Sequence, residues 1–404
     1  MKKLLSLALC IVLICFALVG CAEDIIGDYL SNYNTNAVTD DQIEKLNFYI
    51  ITGDNTSEEA KITVPQNINA YIKEKHRIVL NIKYYAADEY LDAVNSAIAK
   101  TNESERPDII LINSKEMFYD LYNSNKLVKL NDLYSSKDFR SINTVIDSTL
   151  LRATTQNTGG DKYVVPNNHV MGEYKYIVID KSIARDTLHF SNAKIEAMTT
   201  EESLTELKAA INTYYDSNPD SNLSKEEFLE KCVKIVSGGY KDKLLLEYGV
   251  GDEAEITADS LKKNYVNISE YPSATEDEAF LSAFAIVRQL TDTSDTYTEE
   301  EQAVLTSHYS KCMKIIYALN TDVQLKNMLQ YGYVGTNYRF EKNEKNENTN
   351  YVNLIKNPEV IYEMDPIYTG NLFISYYCNE IGWTEKVHND ILRQNADAII
   401  PTEE

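Results

Sequence analysis

The first third of the chain alternates between short apolar runs and stretches in which apolar residues recur every three or four positions. The runs LNFYII, IVLNIKYY and IILI are rich in β-branched and aromatic residues, which is typical of strands, whereas the intervening stretches have the helical period. One helix places Leu91, Val94 and Ile98 on a common face, and Ser114 is expected to cap another. The alternation predicts a parallel sheet covered by helices, with strands over 46–51, 78–85 and 109–112.

The rest of the chain does not continue this simple alternation. Residues 198–236 have a mostly helical pattern, an apolar run FLSAFAIV occupies 280–287, and two further helices follow it. The biased segment EKNEKNENTN at 341–350 is expected to be a solvated loop. A chain of 404 residues is long enough for about two to three domains. The predicted fold class is therefore α/β with more than one lobe.

The stretch YVVPNNHVMGEYKYIVID, residues 163–180, has a strand-like run on each side of a proline. Proline cannot donate to a sheet ladder, so the first strand is expected to end at Pro166. Two interpretations are open: a bulged hairpin, or a crossing from Asn167 to Gly172 that carries the chain from one lobe into another. Gly172 suits a hinge in the second interpretation, because hinge residues absorb large backbone rotations.

The N-terminus carries Lys2 and Lys3, a hydrophobic run and then Cys21. This is the pattern of a secretion signal and is too short for a settled membrane span. The sequence LVGC that ends at Cys21 resembles a bacterial lipobox, which implies removal of residues 1–20 and acylation of the cysteine. The alternative is an uncleaved anchor with an incidental cysteine. In both cases the globular part is expected outside the membrane, with residues 21–45 as the lipidated N-terminus and tether.

Charge and cysteine content narrow the possible partners. The formal net charge of −23 argues against nucleic acid, because phosphate binding needs clustered cations. Besides Cys21, the cysteines after the leader are Cys232, Cys312 and Cys378, which have no C-x-x-C spacing. They are expected to be buried thiols, with one disulfide and a leftover as the alternative. The five histidines are scattered and make no zinc site.

Four stretches stand in order along the chain: YVVPNNHVMGEYKYIVIDKSIA at 163–184, VQLKNMLQYGYVGTNYRF at 323–340, MDPIYTGNLFISYY at 364–377 and RQNADAI at 393–399. Together they resemble the lipid-anchored extracellular solute-binding proteins of bacterial ABC importers, in particular the large carbohydrate-type family. The match spans about Leu46 to Ile400.

The resemblance implies a type 2 periplasmic-binding-protein fold: two α/β lobes, each a mainly parallel sheet flanked by helices, joined by a hinge with a ligand cleft between them. Lobe 1 would comprise 46–166 plus 283–330, and lobe 2 would comprise 170–282 plus 331–404. The resemblance also implies a monomer on the extracytoplasmic face of the bacterial cell membrane that delivers a solute to ABC permease subunits. The chain has no G-x-x-x-x-G-K-[ST] sequence, so no nucleotide is expected and the ATPase belongs to another subunit.

Thirty tyrosines against one tryptophan is an unusual bias. Tyrosine offers a flat apolar face and a hydroxyl together, which suits sugars. This bias and the resemblance to the carbohydrate-type family together make an oligosaccharide the expected solute, with a peptide or smaller polar solute as the alternative. Pairs such as Tyr84-Tyr85 and Tyr214-Tyr215 are expected to pack. The expected ligand contacts lie in loops at strand ends, at the crossing and in the C-terminal lobe: Thr52, Gly53, Asp54, Asn113, Ser114, Asn167, Asn168, His169, Tyr368, Asn371 and Trp383.

Each of these positions also has a structural interpretation. Asn and Asp residues in such loops serve equally as turn formers and helix caps. Trp383 would either stack on a pyranose ring or fill the interface between the lobes.

Residues 216–227 have the oxygen spacing of a twelve-residue calcium loop, although the sixth position, where the turn favours glycine, is Ser221. Several members of the resembled family carry a structural calcium loop at a comparable place. The alternative is a helix–turn–helix linker with a capping box. The expected calcium ligands are Asp216, Asn218, Asp220, Asn222 through its carbonyl, Ser224 and Glu227.

Two rival functions remain open at this level. A lipid-anchored, glycan-acting hydrolase needs only a carboxylate pair, and 62 Asp and Glu residues can supply one. A receptor or adhesin could keep the fold without transport. The absence of G-x-S-x-G and H-E-x-x-H from the sequence argues against a serine esterase and a zinc protease.

Overall fold

The structure is a computed structural model, and it describes residues 43–220, 222–238, 264–268, 272–292, 297–341, 351–382 and 384–400. The leader, the lipobox with Cys21 and most of the tether lie outside the described residues, as do Ser221, Trp383 and nearly all of the biased segment at 341–350.

The first lobe is built on a sheet of five strands: β1 (Glu44–Ile51), β2 (Ile78–Tyr85), β3 (Ile109–Ile112), β4 (Val164–Pro166) and β8 (Ala283–Ile286). Their order in the sheet is β2-β1-β3-β8-β4. β1 pairs in parallel with β2 and β3, whereas β8 is antiparallel to both β3 and β4. Every residue of β3 and β8 is buried, as expected for strands covered by helices on both faces.

The predicted strands and helices of this lobe are present, but the prediction that Leu91 lies on the buried face of its helix is wrong. Leu91 is 42% exposed, whereas Tyr90 is fully buried and its hydroxyl donates to the Leu111 carbonyl at 2.9 Å. The tyrosine therefore faces the sheet in place of the leucine. The helices are α1 (Glu58–His76), α2 (Ala87–Ile98), α3 (Lys115–Asn123), α4 (Asn131–Ser135), α5 (Ile142–Val145), α6 (Ser148–Ala153), α10 (Glu276–Ala279), α11 (Glu299–Thr321) and α12 (Val323–Tyr331).

The second lobe has a sheet of three strands, β5 (Tyr174–Asp180), β6 (Val233–Gly238) and β7 (Asn264–Ile268), in the order β6-β5-β7. Both neighbours of the central strand are antiparallel to it, so the expectation of a mainly parallel sheet in each lobe is wrong for this one. A separate core includes Ile177, Ile179, Leu207 and Ile211. The helices are a π-helix (Ser182–Thr187), α7 (Asn192–Glu196), α8 (Thr205–Ser217) and α9 (Lys225–Cys232).

The stretch around Pro166 is a crossing and not a hairpin, because β4 and β5 belong to different sheets. The α/β class with two lobes joined by the crossing is confirmed, while the hinge and the bounds assigned to the lobes stay predictions. Tyr362 and Met364, placed in lobe 2 by the resemblance, pack into the core of the first sheet. The C-terminal elements are β9 (Tyr338–Glu341), β10 (Asn353–Lys356), the 3-10 helices Pro366–Thr369 and Leu372–Ile374, and α13 (Glu385–Asp397).

Cys232, Cys312 and Cys378 are buried free thiols, which confirms the prediction made for them. Within the described part of the chain, no helix has the length and apolar character needed to cross a membrane.

Candidate functional site

The carboxyl edge of the five-stranded sheet is the candidate site. β1, β2 and β3 run in parallel and end at Ile51, Tyr85 and Ile112, so they finish at one edge. β4 finishes there as well, because Pro166 and Ile112 both pair with Ala283. The chain leaves this edge after β4, through the crossing at 167–172, to form the second sheet, and it returns to the edge through a second crossing between β7 and β8. Since ligands of open α/β sheets bind outside carboxyl strand ends, this edge beside both crossings is where a cleft would open.

The loop after β1, predicted to hold ligand, receives a C-terminal segment of the protein. Thr52 is buried; its Oγ1 donates to the Glu363 carbonyl at 3.0 Å and lies 2.8 Å from Thr56 Oγ1. The Gly53 amide donates to the same carbonyl at 2.9 Å, and a Cβ on Gly53 would lie 2.8 Å from the Glu363 Cβ. Glycine is thus required at position 53 by the protein itself. Asp54, the next residue, is exposed.

The two predicted residues after β3 are partly exposed. The Ser114 side chain caps α3, since its Oγ accepts from the Met117 amide at 3.1 Å. This confirms the predicted N-cap. A role of Asn113 or Ser114 in ligand binding stays a prediction.

A charged cluster that the sequence pattern does not indicate lies beside them. Lys115 Nζ is 2.7 Å from Glu276 Oε2, and the other carboxylate oxygen accepts from the Tyr119 hydroxyl and the Asn157 amide at 2.8 Å each. Burial raises the pKa of Tyr119 to about 12. Burial also opposes the charge of Glu276, but the hydrogen bonds from Lys115 and Tyr119 keep the pKa of Glu276 below its ordinary value. Tyr119 and Glu276 are 157 residues apart, so no local spacing could reveal the cluster.

Asn167 and Asn168, at the start of the crossing, are buried and bonded to the protein. The Asn167 amide donates to the Ser282 carbonyl at 3.0 Å, and its Nδ2 donates to Ser282 Oγ at 2.8 Å. Asn168 Nδ2 donates to the Val145 carbonyl at 2.7 Å, and its Oδ1 accepts from the Asp147 amide at 2.8 Å. Both side chains therefore join the crossing to first-lobe segments.

His169 is also enclosed by protein. Its Nδ1 lies 2.8 Å from the Asn167 carbonyl and its Nε2 lies 2.9 Å from the Glu278 carbonyl. Burial lowers the pKa of His169 below the ordinary value, although both carbonyl contacts favour the protonated ring. In this conformation the three predicted crossing residues hold the chain in place, and their contact with a ligand stays a prediction.

Asn371, predicted in the C-terminal lobe, is brought next to the crossing. Its Nδ2 donates to the Asn320 carbonyl at 3.3 Å, and Asn320 Nδ2 lies 3.4 Å from Asn167 Oδ1. Tyr368 is partly buried against the first-lobe core. The structure thus joins Asn167 and Asn371 through Asn320, a partner that no motif indicated.

The tyrosine pairs pack, as predicted. The Tyr84 hydroxyl lies 3.3 Å from the Tyr362 hydroxyl. Tyr214 and Tyr215 both contact the Phe228 ring, with centroid separations of 6.3 and 5.3 Å.

The carboxylates of the proposed calcium loop have protein partners. Lys225 Nζ is 2.9 Å from Asp216 Oδ1, and Asp220 Oδ1 accepts from the Asn222 amide at 3.0 Å. Ser224 and Glu227 form a capping box at the start of α9, which confirms the alternative interpretation of these two residues. Among the residues that the structure describes, no group of three His, Cys, Asp or Glu side chains is placed to hold a metal. Calcium binding stays a prediction.

No protein-family model matches the chain, and no curated protein matches it in sequence. Solved structures are similar to it. The N-glycan transport solute binding protein NgtS of Streptococcus pneumoniae has a TM-score of 0.53 at 17% identity, covering 88% of this chain and 83% of that chain. The same protein in complex with Man1GlcNAc has a TM-score of 0.48 with the same identity and coverage. The ABC substrate-binding protein Lmo0181 of Listeria monocytogenes, in complex with cycloalternan, has a TM-score of 0.35 at 11% identity, covering 89% and 88%.

The likeness to NgtS concerns the fold. It confirms, at the level of the fold, the resemblance to carbohydrate-type solute-binding proteins that the sequence predicts.

Proposed function

We propose that this protein is the solute-binding component of a bacterial ABC importer, which captures an oligosaccharide between its two lobes and delivers it to membrane permease subunits. The observation that carries the proposal is the pair of crossings at the carboxyl edge of the five-stranded sheet. A hinge is thereby set beside the place where α/β sheets bind ligands. The fold of NgtS, a solute binding protein by name, supports this function. The protein acts as a monomer and binds its solute without changing it.

An oligosaccharide is the proposed cargo for two reasons. NgtS is named for N-glycan transport, and this chain has thirty tyrosines to offer to sugar rings. Of the predicted contacts, Asp54, Asn113 and Tyr368 keep exposed or partly exposed side chains, so these are the proposed sugar contacts. The remaining predicted positions in the described chain are committed to protein partners.

The lipid anchor is part of the proposal. Cys21 carries the acyl chains after removal of residues 1–20, and the globular part lies on the extracytoplasmic face of the cell membrane. Mass analysis of the protein from the membrane fraction tests the anchor: the chain is expected to begin at Cys21 and to carry acyl chains there. A chain that keeps residues 1–20 and an unmodified Cys21 would favour the uncleaved anchor.

Ligand binding is tested by titrating the chain from Ala22, which retains every described residue, with N-glycan fragments, other oligosaccharides, peptides and amino acids. A solute at 100 times its Kd adds about 2.7 kcal/mol of stability and should raise the Tm by several degrees. We expect a shift confined to one class of oligosaccharide, with the sugar recovered intact. A cleaved sugar would identify a hydrolase, and a shift with peptides alone would overturn the proposed cargo.

Matched aspartate variants locate the site. Asp54 and Asp92 are both exposed, but only the first is at the carboxyl edge. D54A is expected to weaken sugar binding by about tenfold, whereas D92A, on α2, should leave the affinity unchanged. Equal affinities of D54A and the unmodified chain would remove the β1 loop from the site.

A further inference from the structure

Helix α13 ends in two buried amide side chains that point at the first crossing. Gln394 and Asn395 are each 1% exposed, whereas Asn389 on the same helix is exposed. Amides are seldom fully buried unless they are hydrogen-bonded, so the partners of these two side chains define what they do.

Both amides bind the main chain of the crossing. Asn395 Nδ2 donates to the His169 carbonyl at 2.7 Å, and its Oδ1 accepts from the Met171 amide at 2.9 Å. Gln394 Nε2 donates to the Met171 carbonyl at 3.1 Å and to the Gly172 carbonyl at 2.7 Å. Two neighbouring side chains therefore bind four main-chain groups between His169 and Gly172, while the Gly172 amide donates to Glu278 Oε2 at 2.7 Å.

The same helix leads directly to the second crossing. The Ile399 amide donates to the Pro272 carbonyl at 3.1 Å, and its carbonyl accepts from the Ala274 amide at 3.0 Å. Ser273, which lies between Pro272 and Ala274, pairs with Glu173 just beyond the first crossing. One C-terminal element thus touches both connections between the lobes.

Helix α13 is itself fixed to the segment that contains Leu372 and Phe373. His388 Nε2 lies 3.1 Å from the Phe373 carbonyl, and Ile391 packs with Leu372. The Leu372 amide in turn donates to the Asn168 carbonyl at 2.8 Å. The helix that carries Gln394 and Asn395 is therefore held by a segment that is itself hydrogen-bonded to Asn168, in the first part of the crossing.

Gln394 is not explained by packing. Its Oε1 is buried and finds no donor among the residues that the structure describes. A buried acceptor without a donor is unfavourable, so an apolar side chain would be the better choice if this position only filled space.

We propose that Gln394 and Asn395 are positioning residues that hold the first crossing rigid up to Gly172, so that bending between the lobes begins at Gly172 and not at Asn167. Gly172 has a φ of +70°, and a Cβ there would lie 3.1 Å from Pro272 Cβ and 3.2 Å from the Ser273 carbonyl oxygen. The pivot is thus a glycine packed against the second crossing. The positioning role itself does not depend on the proposed function. One consequence does rest on that function: α13 would set the angle between the two lobes when a solute binds.

The test measures the solute-free chain from Ala22. Hydrogen exchange reports the amides of residues 163–174, and spin labels on D92C in lobe 1 and E202C in lobe 2 report the distance between the lobes. The native thiols of the described chain are buried, so the labels go to the new cysteines. N395L is expected to speed exchange of the Met171 amide by about tenfold and to broaden the distance distribution.

The control is N389L, the same substitution on the exposed face of α13, which should change neither readout. Unchanged exchange and an unchanged distance distribution in N395L would overturn the proposal. Q394M and N395D decide the matter if N395L does not fold. Q394M frees the Met171 and Gly172 carbonyls and should broaden the distance distribution. N395D keeps the acceptor for the Met171 amide, so its exchange should rise less.

The two proposals fail in different ways. A distance distribution that broadens in N395L, together with no sugar binding by the unmodified chain, would support the positioning role of Gln394 and Asn395 and count against the proposed function. Sugar binding by the unmodified chain, with exchange and distance distribution both unchanged in N395L, would support the function and overturn the positioning role.

Discussion

The crossing at 167–172 and the loop at 216–227 are both predicted to bind a ligand, but they differ completely in structure. The crossing begins with the polar residues Asn167, Asn168 and His169, and the loop is rich in oxygen-bearing side chains. The crossing is buried, and its side chains bond to segments far along the chain, such as Ser282 and Asn320. The loop is largely exposed, and its side chains bond to near neighbours, such as Asp216 to Lys225.

This difference indicates in which region the free energy of unfolding depends on individual polar side chains. A buried polar group must be hydrogen-bonded, so the loss of one partner in the crossing leaves another group unpaired. An exposed group exchanges its partner for water at little cost. Comparable substitutions should therefore have large effects around the crossing and small effects in the loop.

The largest effect is expected from G370A, in the segment that supports the crossing. Gly370 has a φ of +110°, and a Cβ there would lie 2.2 Å from the Leu319 carbonyl oxygen. Alanine must therefore displace the end of α11, and we expect a loss of about 3–5 kcal/mol in the free energy of unfolding. Denaturant unfolding measures it. G159A is the control, since Gly159 also has positive φ but open space around it, and should lose about 1–2 kcal/mol. Equal losses would show that only backbone conformation matters at position 370.

The comparison is sharpest when one substitution is made in both regions. N168A leaves the Val145 carbonyl and the Asp147 amide without their partner, and is expected to lower the free energy of unfolding by about 2–3 kcal/mol. N222A, at an exposed side chain of the loop, should change it by less than about 0.5 kcal/mol. Similar losses for the two variants in urea unfolding would contradict the contrast between the regions.

Within the loop, the capping box is expected to matter most. Ser224 Oγ accepts from the Glu227 amide at 3.2 Å, and the Ser224 amide donates to Glu227 Oε2 at 2.7 Å. S224A should cost about 1 kcal/mol, measured by the same unfolding. S217A is the control, because Ser217 is an exposed serine at the end of α8 that caps no helix start, and it should be near neutral. A neutral S224A would mean that α9 does not depend on its cap.

Local patterns and distant contacts were not equally predictable. β2 and β3 have the bounds that their apolar runs predict, and β1 begins two residues earlier than predicted. Strands are predictable because their hydrophobic pattern lies in adjacent residues of the sequence. Pro166 and Gly172 also indicated the crossing, with a bulged hairpin as the alternative. It could not reveal that Asn167 and Asn168 are enclosed, since their partners lie far away in sequence. The antiparallel sheet of lobe 2 was missed for the same reason: strand direction depends on tertiary pairing.

The smallest expected effect concerns calcium in the loop. Occupation of the site would require Asp216 to leave Lys225, and Glu227 to leave the Ser224 amide. Because these protein contacts compete with the ion, the predicted calcium is expected to bind weakly, and EDTA should change the Tm of the chain from Ala22 by less than about 1 °C. D216N is the companion variant, since it weakens both the ion pair and any calcium site. A fall in Tm with EDTA that calcium reverses, and that D216N abolishes, would establish the calcium loop. The loop would then resemble the crossing in depending on a partner beyond its own residues.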